Sequence, residues 1–265
     1  MRPSSGPTSN RYIGLNSNSS SGPSRIKAFG REAGKTLLEL LYPTRCAICE
    51  KPGELLCADC WSALPDIDQM RSCQLCGAPF GRSLCTECQE REGKKQYSFS
   101  MARAAFELND AVRRMILVYK NANERRLAPL LAEMLQQILP LEWRLWADAL
   151  TWIPADQQAF QERGFDHMET IASCLGESAH LPAYPLLLKN PGTDQRVLTR
   201  AQRFENVRSL FSPNGAVLTD ADLGDKNIIL IDDVFTTGAT LEAAADCLLA
   251  GGIKAVRVLC LARTW

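Results

Sequence analysis

Two adjacent carboxylates, Asp232 and Asp233, end a run of four large aliphatic residues, Ile228-Ile229-Leu230-Ile231, and lead into Val234-Phe235-Thr236-Thr237-Gly238-Ala239-Thr240. Such a run reads as a buried strand that delivers both carboxylates to the edge of a sheet. The Thr/Gly turn behind it, with a helix starting near Thr240, makes a small phosphate cradle. Backbone N–H groups of Thr237, Gly238, Ala239 and Thr240, the threonine hydroxyls and the positive end of the helix dipole can bind one phosphate monoester. Gly238 lets the backbone approach that anion closely. Asp232 and Asp233 then stand where they accept hydrogen bonds from vicinal hydroxyls of a sugar attached to the phosphate, and carboxylates beside a phosphate favour a bridging Mg²⁺. The competing readings are an acidic strand end above an ordinary capped helix, a receiver-type acidic pair and a Walker-B strand. No Gly-x-x-x-x-Gly-Lys-Ser/Thr loop or Gly-x-Gly-x-x-Gly turn occurs elsewhere to complete a nucleotide fold.

A second constellation is built from sulfur. Cys46-x2-Cys49-x7-Cys57-x2-Cys60 is followed by Cys73-x2-Cys76-x8-Cys85-x2-Cys88, two near-copies of one four-thiolate unit. Two tight turns that each present two sulfurs make a closed tetrahedral zinc site, which is structural rather than catalytic because no position is left for water. Gly53 and Gly77 fall where such turns need a positive φ. A thioredoxin-like redox pair is the alternative, but these pairs precede no βαβ helix start. Spacing leaves the pairing open, since 46/49 could also join 73/76. The hydrophobic residues of this region are too sparse to close a core alone, so metal must contribute stability.

These groups need elements to hold them. Residues 1–34, dominated by Ser, Gly, Pro and Asn, show no periodicity and read as a disordered tail. Its Arg and Ser content also suits a transit peptide, but Pro and Gly interrupt any amphipathic helix. A short apolar helix is expected over 35–42, stopped by Pro43, and the double zinc-ribbon-like module is taken as 35–98. From residue 99 to 265, extended segments (101–107, 149–153, 184–188, 227–232, 255–262) alternate with helical ones (110–120, 125–139, 167–178, 239–250). That order predicts an α/β domain with a mostly parallel sheet, flanking helices and a ligand site at the C-terminal ends of the strands.

The chain has 265 residues, 46% of them hydrophobic, and a net charge of zero, so it has no global attraction to nucleic acid or membrane. The tail is basic, and residues 189–211 form a local basic stretch that includes Thr193, Gln195, Leu198, Arg203 and Asn206. No apolar run is long enough for a membrane span, and the paired cysteines suit a reducing compartment, so a cytoplasmic protein is expected. Lys120 reads equally as a solvated helix end or a phosphate contact. His167 and His180 read as surface or helix-end residues rather than bases, and Cys174, Cys247 and Cys260 as core.

The Asp232–Thr240 segment resembles the phosphoribosyl-diphosphate (PRPP) motif of type I phosphoribosyltransferases. Together with the cysteine knuckles, Val118-Tyr119-Lys120, Arg163-Gly164-Phe165 and the Thr193/Gln195, Arg203, Asn206 pattern, it makes residues 37–265 similar to the ComF family of DNA-uptake proteins. The resemblance implies a zinc-binding front, a type I phosphoribosyltransferase-like domain and a link to natural transformation or use of external DNA. It implies that Asp232 and Asp233 face the ribose hydroxyls, that Thr236, Thr237, Gly238, Ala239 and Thr240 hold the 5′-phosphate, and that Arg163 and Arg203 contact substrate. The loop at 153–156 could hold the diphosphate. The family usually has Asn after Arg-Gly-Phe, whereas this chain has Asp166, an acceptor-only anion that still caps a helix well. Two functions fit. In one, a nucleophile attacks the anomeric carbon of PRPP while Mg²⁺ neutralises the departing diphosphate. In the other, a non-catalytic domain senses PRPP or holds single-stranded DNA while the zinc module docks a helicase or another uptake protein.

Overall fold

The structure is a computed structural model and describes residues 43–81, 83–90, 97–190 and 210–265. The expected tail, the helix at 35–42 and most of the basic stretch, including Thr193, Gln195, Leu198, Arg203 and Asn206, lie outside the described residues. The described residues from Arg45 to Trp265 form one compact unit.

After two short helices in the cysteine region, α1 (Ala58–Ser62) and α2 (Thr86–Glu90), the order is β1 (Met101–Glu107), α3 (Asp110–Asn121), a 3-10 turn (Arg125–Leu127), α4 (Ala128–Ile138), α5 (Leu141–Trp146), β2 (Ala149–Trp152), α6 (Gln157–Arg163) and α7 (His167–Ala179). Then come β3 (Leu187–Lys189), β4 (Phe211–Pro213), α8 (Gly215–Asp220), β5 (Asn227–Phe235), α9 (Ala239–Ala250) and β6 (Ala255–Arg263). Strands β1, β6, β5 and β2 lie in that order in one parallel sheet. The continuous aliphatic run of β5 is explained by its place inside the sheet, since Ile228 to Ile231 are all fully buried. The expected strand at 184–188 forms later, at 187–189, and pairs antiparallel with β4 rather than joining the parallel sheet. Pro182 and Pro185 flank Ala183, whose bridge to Leu150 is isolated, because proline supplies no N–H to extend a ladder.

Side chains alternate between two cores. Ile229, Ile231, Leu259 and Leu261 pack with the apolar faces of α3, α4 and α7, whereas Ile228, Leu230, Val258 and Cys260 pack with Leu241, Ala244, Ala245 and Leu248 of α9. The two cysteine units divide in the same way: Cys46 and Cys57 join the first core, and Cys73, Cys76, Cys85 and Cys88 join the second. The segment between them covers the outer edge of β1. Ile67 N donates to Ala105 O at 2.9 Å, Glu107 N to Pro65 O at 2.9 Å and Gln69 Nε2 to Ala104 O at 2.8 Å. An edge that would otherwise offer unpaired backbone groups is thereby closed. The cysteine region thus draws stability from the sheet as well as from any metal.

Candidate functional site

The sulfurs assemble in sequence order: Cys46, Cys49, Cys57 and Cys60 form one cluster, and Cys73, Cys76, Cys85 and Cys88 another, with the Sγ atoms of each within 4.8 Å of one another. Cys49 and Cys57 Sγ are 3.6 Å apart, as are Cys76 and Cys85 Sγ. A tetrahedron of sulfurs about 2.3 Å from zinc has edges of about 3.8 Å, so both sets fit the ion. The Cys73 thiol is pulled down, chiefly by its hydrogen bond with Cys76, whose own thiol is pushed up by the same contact.

The two knuckles repeat the same backbone bonds. Cys46 N donates to Lys51 O at 2.9 Å and Glu50 N to Cys46 O at 2.9 Å, while Cys73 N donates to Ala78 O at 2.8 Å and Gly77 N to Cys73 O at 2.8 Å. Gly53 and Gly77 both have positive φ as expected, but the counterpart of Gly77 in the first copy is Glu50, with φ of 63°. That glutamate also forms an exposed ion pair with Arg114, which links the first knuckle to α3.

At the other end of the sheet, β5 carries Asp232 and Asp233, both about nine-tenths buried, and runs on to Phe235 before the turn. Gly238 has φ of 81° and is the N-cap of α9, so it gives that helix no side-chain cap. Thr236, Thr237, Ala239 and Thr240 are exposed around it. Ala239 N donates weakly to Thr237 Oγ1 at 3.4 Å, and an αL glycine, N–H groups without an N-cap side chain and hydroxyls on one turn make a site suited to an anion. Beside Thr236 and Thr237 lies a cavity of about 490 Å³, walled by Glu87 and Glu90 of α2 and by Arg263, Thr264 and Trp265.

Three basic residues stand at this end of the sheet on separate elements, and one of them pairs with the carboxylates. Lys120, near the end of α3, forms an ion pair with Asp233. Arg163, at the end of α6, brings Nη1 within 3.4 Å of His167 Nδ1, and Lys189 of β3 is 3.7 Å from Asp156. Asp166 caps α7 through Met168 N at 2.9 Å and Glu169 N at 3.2 Å, and its other oxygen accepts from Ala155 N at 2.9 Å. The residue that departs from the family pattern therefore fastens the 153–156 loop to the helix. His167 stands at a helix end as expected, but it is buried rather than on the surface, with Nε2 at 3.5 Å from Asp233. Sequence offered no signal for this, because the imidazole is enclosed by groups distant in the chain.

Burial sets the protonation of this cluster. Asp232 is pushed up to about 7, with Lys120 and Lys189 opposing the rise. The Lys120 ammonium is pulled down to about 8 by burial, against the pull of Asp232. His167 falls to about 3 for the same first reason, with Lys120 and Arg163 adding to it, so it stays neutral at physiological pH. Of the expected site residues, Asp232, Asp233 and the 236–240 turn lie together, and Arg163 lies across the cluster through His167. Lys120 and His167 complete it.

The chain matches the double zinc ribbon domain family over residues 37–91 and the phosphoribosyl transferase domain family over residues 183–264, and the two sulfur clusters and the parallel α/β sheet agree with that pair of domains. It is similar over most of its length to proteins named for competence and DNA utilisation, in line with the ComF resemblance. Competence protein ComFC of Bacillus subtilis (strain 168) is 27% identical over 208 residues, which is 76% of this chain and 81% of that protein. DNA utilization protein YhgH of Escherichia coli (strain K12) is 24% identical over 234 residues, 85% of this chain and 99% of that one. Among solved structures, one titled as the allosteric regulatory enzyme of purine biosynthesis is 22% identical with a TM-score of 0.36, covering 50% of this chain and 25% of that one. Among the described residues, no helix is long and apolar enough to cross a membrane.

Proposed function

We propose that the chain binds PRPP with Mg²⁺ at the C-terminal ends of β5 and β2 and acts as a phosphoribosyltransferase in DNA uptake or in the use of external DNA. The observation that carries this reading is the paired Asp232 and Asp233 beside a helix N-terminus whose cap, Gly238, offers no side chain. The 236–240 turn binds the 5′-phosphate and the two aspartates orient the ribose hydroxyls. Arg163 and the 153–156 loop take the diphosphate side, and Arg203, which lies outside the described residues, is kept as a substrate contact on the resemblance alone. Asp232 and Asp233 are the residues that would hold Mg²⁺, which neutralises the diphosphate leaving group. Positioning and electrostatics carry such a transfer, and no nucleophilic side chain is required. The reading places the protein in the cytoplasm, where thiolates persist.

Calorimetric titration of the zinc-loaded protein with Mg²⁺ and PRPP should give binding that an Asp232→Ala/Asp233→Ala variant loses; silence from intact, folded protein would remove the proposal. A pH series tests the same site. Asp232 must be ionised to accept from a diol or hold a cation, so affinity should rise up to about tenfold between pH 5.5 and 6.5 and level off above about 7.5. The Asp232→Asn variant should keep only the slope contributed by the ligand's own phosphates.

A second reading, equally compatible with relatives named for competence and DNA utilisation, is that the domain senses PRPP or holds single-stranded DNA without turnover and the ribbons dock a helicase or other uptake protein. Diphosphate release that depends on an added base supports transfer. Salt-sensitive DNA binding without PRPP turnover supports the binding module.

A further inference from the structure

At the end of β6 the guanidinium of Arg263 is buried, at 4% exposure, and joins two parts of the molecule that are far apart in sequence. Its Nε donates to Cys76 O at 3.3 Å, while Nη1 donates to Phe235 O at 3.2 Å, Thr236 O at 2.6 Å and Thr264 O at 2.5 Å. The group lies over the Phe235 ring at 4.3 Å, which fixes its plane. Cys76 belongs to the second sulfur cluster, and Phe235 and Thr236 open the phosphate turn.

A trans peptide is planar, with its C=O and N–H pointing in opposite directions. Holding the carbonyls of Phe235 and Thr236 on Arg263 therefore aims the amides of Thr236 and Thr237 the other way. Tyr97 Oη, 3.5 Å from Thr237 O, acts on the next amide, that of Gly238. The fork geometry matters, because an ammonium at this place is a point charge and cannot hold the ribbon and the turn in one plane.

We propose that Arg263 is a positioning residue that makes the second zinc ribbon part of the phosphate-binding apparatus: the knuckle around Cys76 fixes the guanidinium, and the guanidinium, through the Thr236 carbonyl, fixes the Thr237 amide, the first of those that meet the 5′-phosphate. The proposal rests on the PRPP reading and adds a route by which metal in the Cys73–Cys88 unit sets affinity for the sugar phosphate.

The test uses the full zinc-loaded chain and two probes, ribose 5-phosphate for the turn and Mg²⁺-diphosphate for the side formed by 153–156 and Arg163. Arg263→Lys should weaken ribose 5-phosphate by about 10-fold or more, the loss of one or two charge-assisted contacts, with diphosphate affinity and zinc content unchanged. Cys88→Ser, which opens the second cluster, should produce a similar loss, and the double variant should lose no more than the larger single effect. Equal weakening of both probes in Arg263→Lys would mark a general loss of structure and overturn the proposal, as would additive losses in the double variant or an unchanged ribose 5-phosphate affinity. Should Cys88→Ser not fold, Arg263→Lys decides through its two probes. Wild-type protein that binds neither probe sinks the PRPP reading itself, an outcome distinct from all of these.

Discussion

Gly238→Ala is expected to reduce affinity for PRPP at least about 100-fold and to destabilise the fold by about 2–4 kcal/mol, combining left-handed backbone strain with overpacking. A methyl group there would stand 2.7 Å from Phe235 Cε2 and 2.9 Å from Tyr97 Cε1, on a backbone with φ of 81°. The enclosed Phe235 ring has no room to withdraw, and the half-exposed Tyr97 ring can do so only by giving up its stack. Phe235 is 1% exposed and lies under Arg263, and Tyr97 is stacked on Phe99 with centroids 4.6 Å apart. The turn must yield instead, and with it the amides of the cradle. Urea unfolding and calorimetry on the same preparation measure the two effects. Gly215→Ala, where a methyl would meet nothing within 4 Å, should alter neither by a comparable amount.

Lys120→Met should cost about 3 kcal/mol in the ligand-free protein, with a pH dependence of defined sign. The Lys120 and Asp233 side chains are only 21% and 12% exposed, so removing the cation strands a buried carboxylate. Lys120 also opposes the rise of Asp232, and without it that carboxyl moves further above about 7. A carboxyl whose folded-state pKa is raised stabilises the fold fully below its unfolded value of about 4 and loses that contribution as pH rises through the folded value. The variant should therefore be closest to wild type near pH 5 and fall further behind as pH rises to about 8, where the wild-type ammonium itself begins to lose its proton, as urea midpoints at the two pH values would show. A deficit of the same size at both would contradict the electrostatic account of this cluster.

Much of the frame could be read from local pattern. The aliphatic run of β5, the αL glycine after it and the 239–250 helix follow from hydrophobic order and turn chemistry, and the helix falls at Ala239–Ala250. The short helix α6 was not expected, although Asp156 and Gly164 bracket it: Asp156 accepts from Ala159 N at 2.7 Å, and Gly164 closes it at φ of 71°. A run of seven residues with no buried member offers no periodicity to detect. Arg263 was illegible for a different reason. In Leu-Ala-Arg-Thr a guanidinium looks like a solvated strand end, and its burial depends on Cys76, 187 positions away. The cation–carboxylate cluster was half-visible. Asp232 and Asp233 stand out in sequence, but Lys120 and His167 meet them only through the packing of α3 and α7 on the sheet.

The placement of β1 has a consequence for how the molecule comes to be made. Its ladder partner is β6, with Met101 opposite Arg257, so on the ribosome the sheet cannot close until more than half of the chain has followed. The two knuckles emerge first and can each take up a metal ion within a few dozen residues. Their connecting segment already guards the outer edge of β1, so the exposed side during synthesis is the inner one, which waits for β6. Zinc supply would then act early, as a condition on which nascent chains reach release with that strand in order, and metal starvation should appear as lost newly made protein before it appears as lost activity in protein already folded.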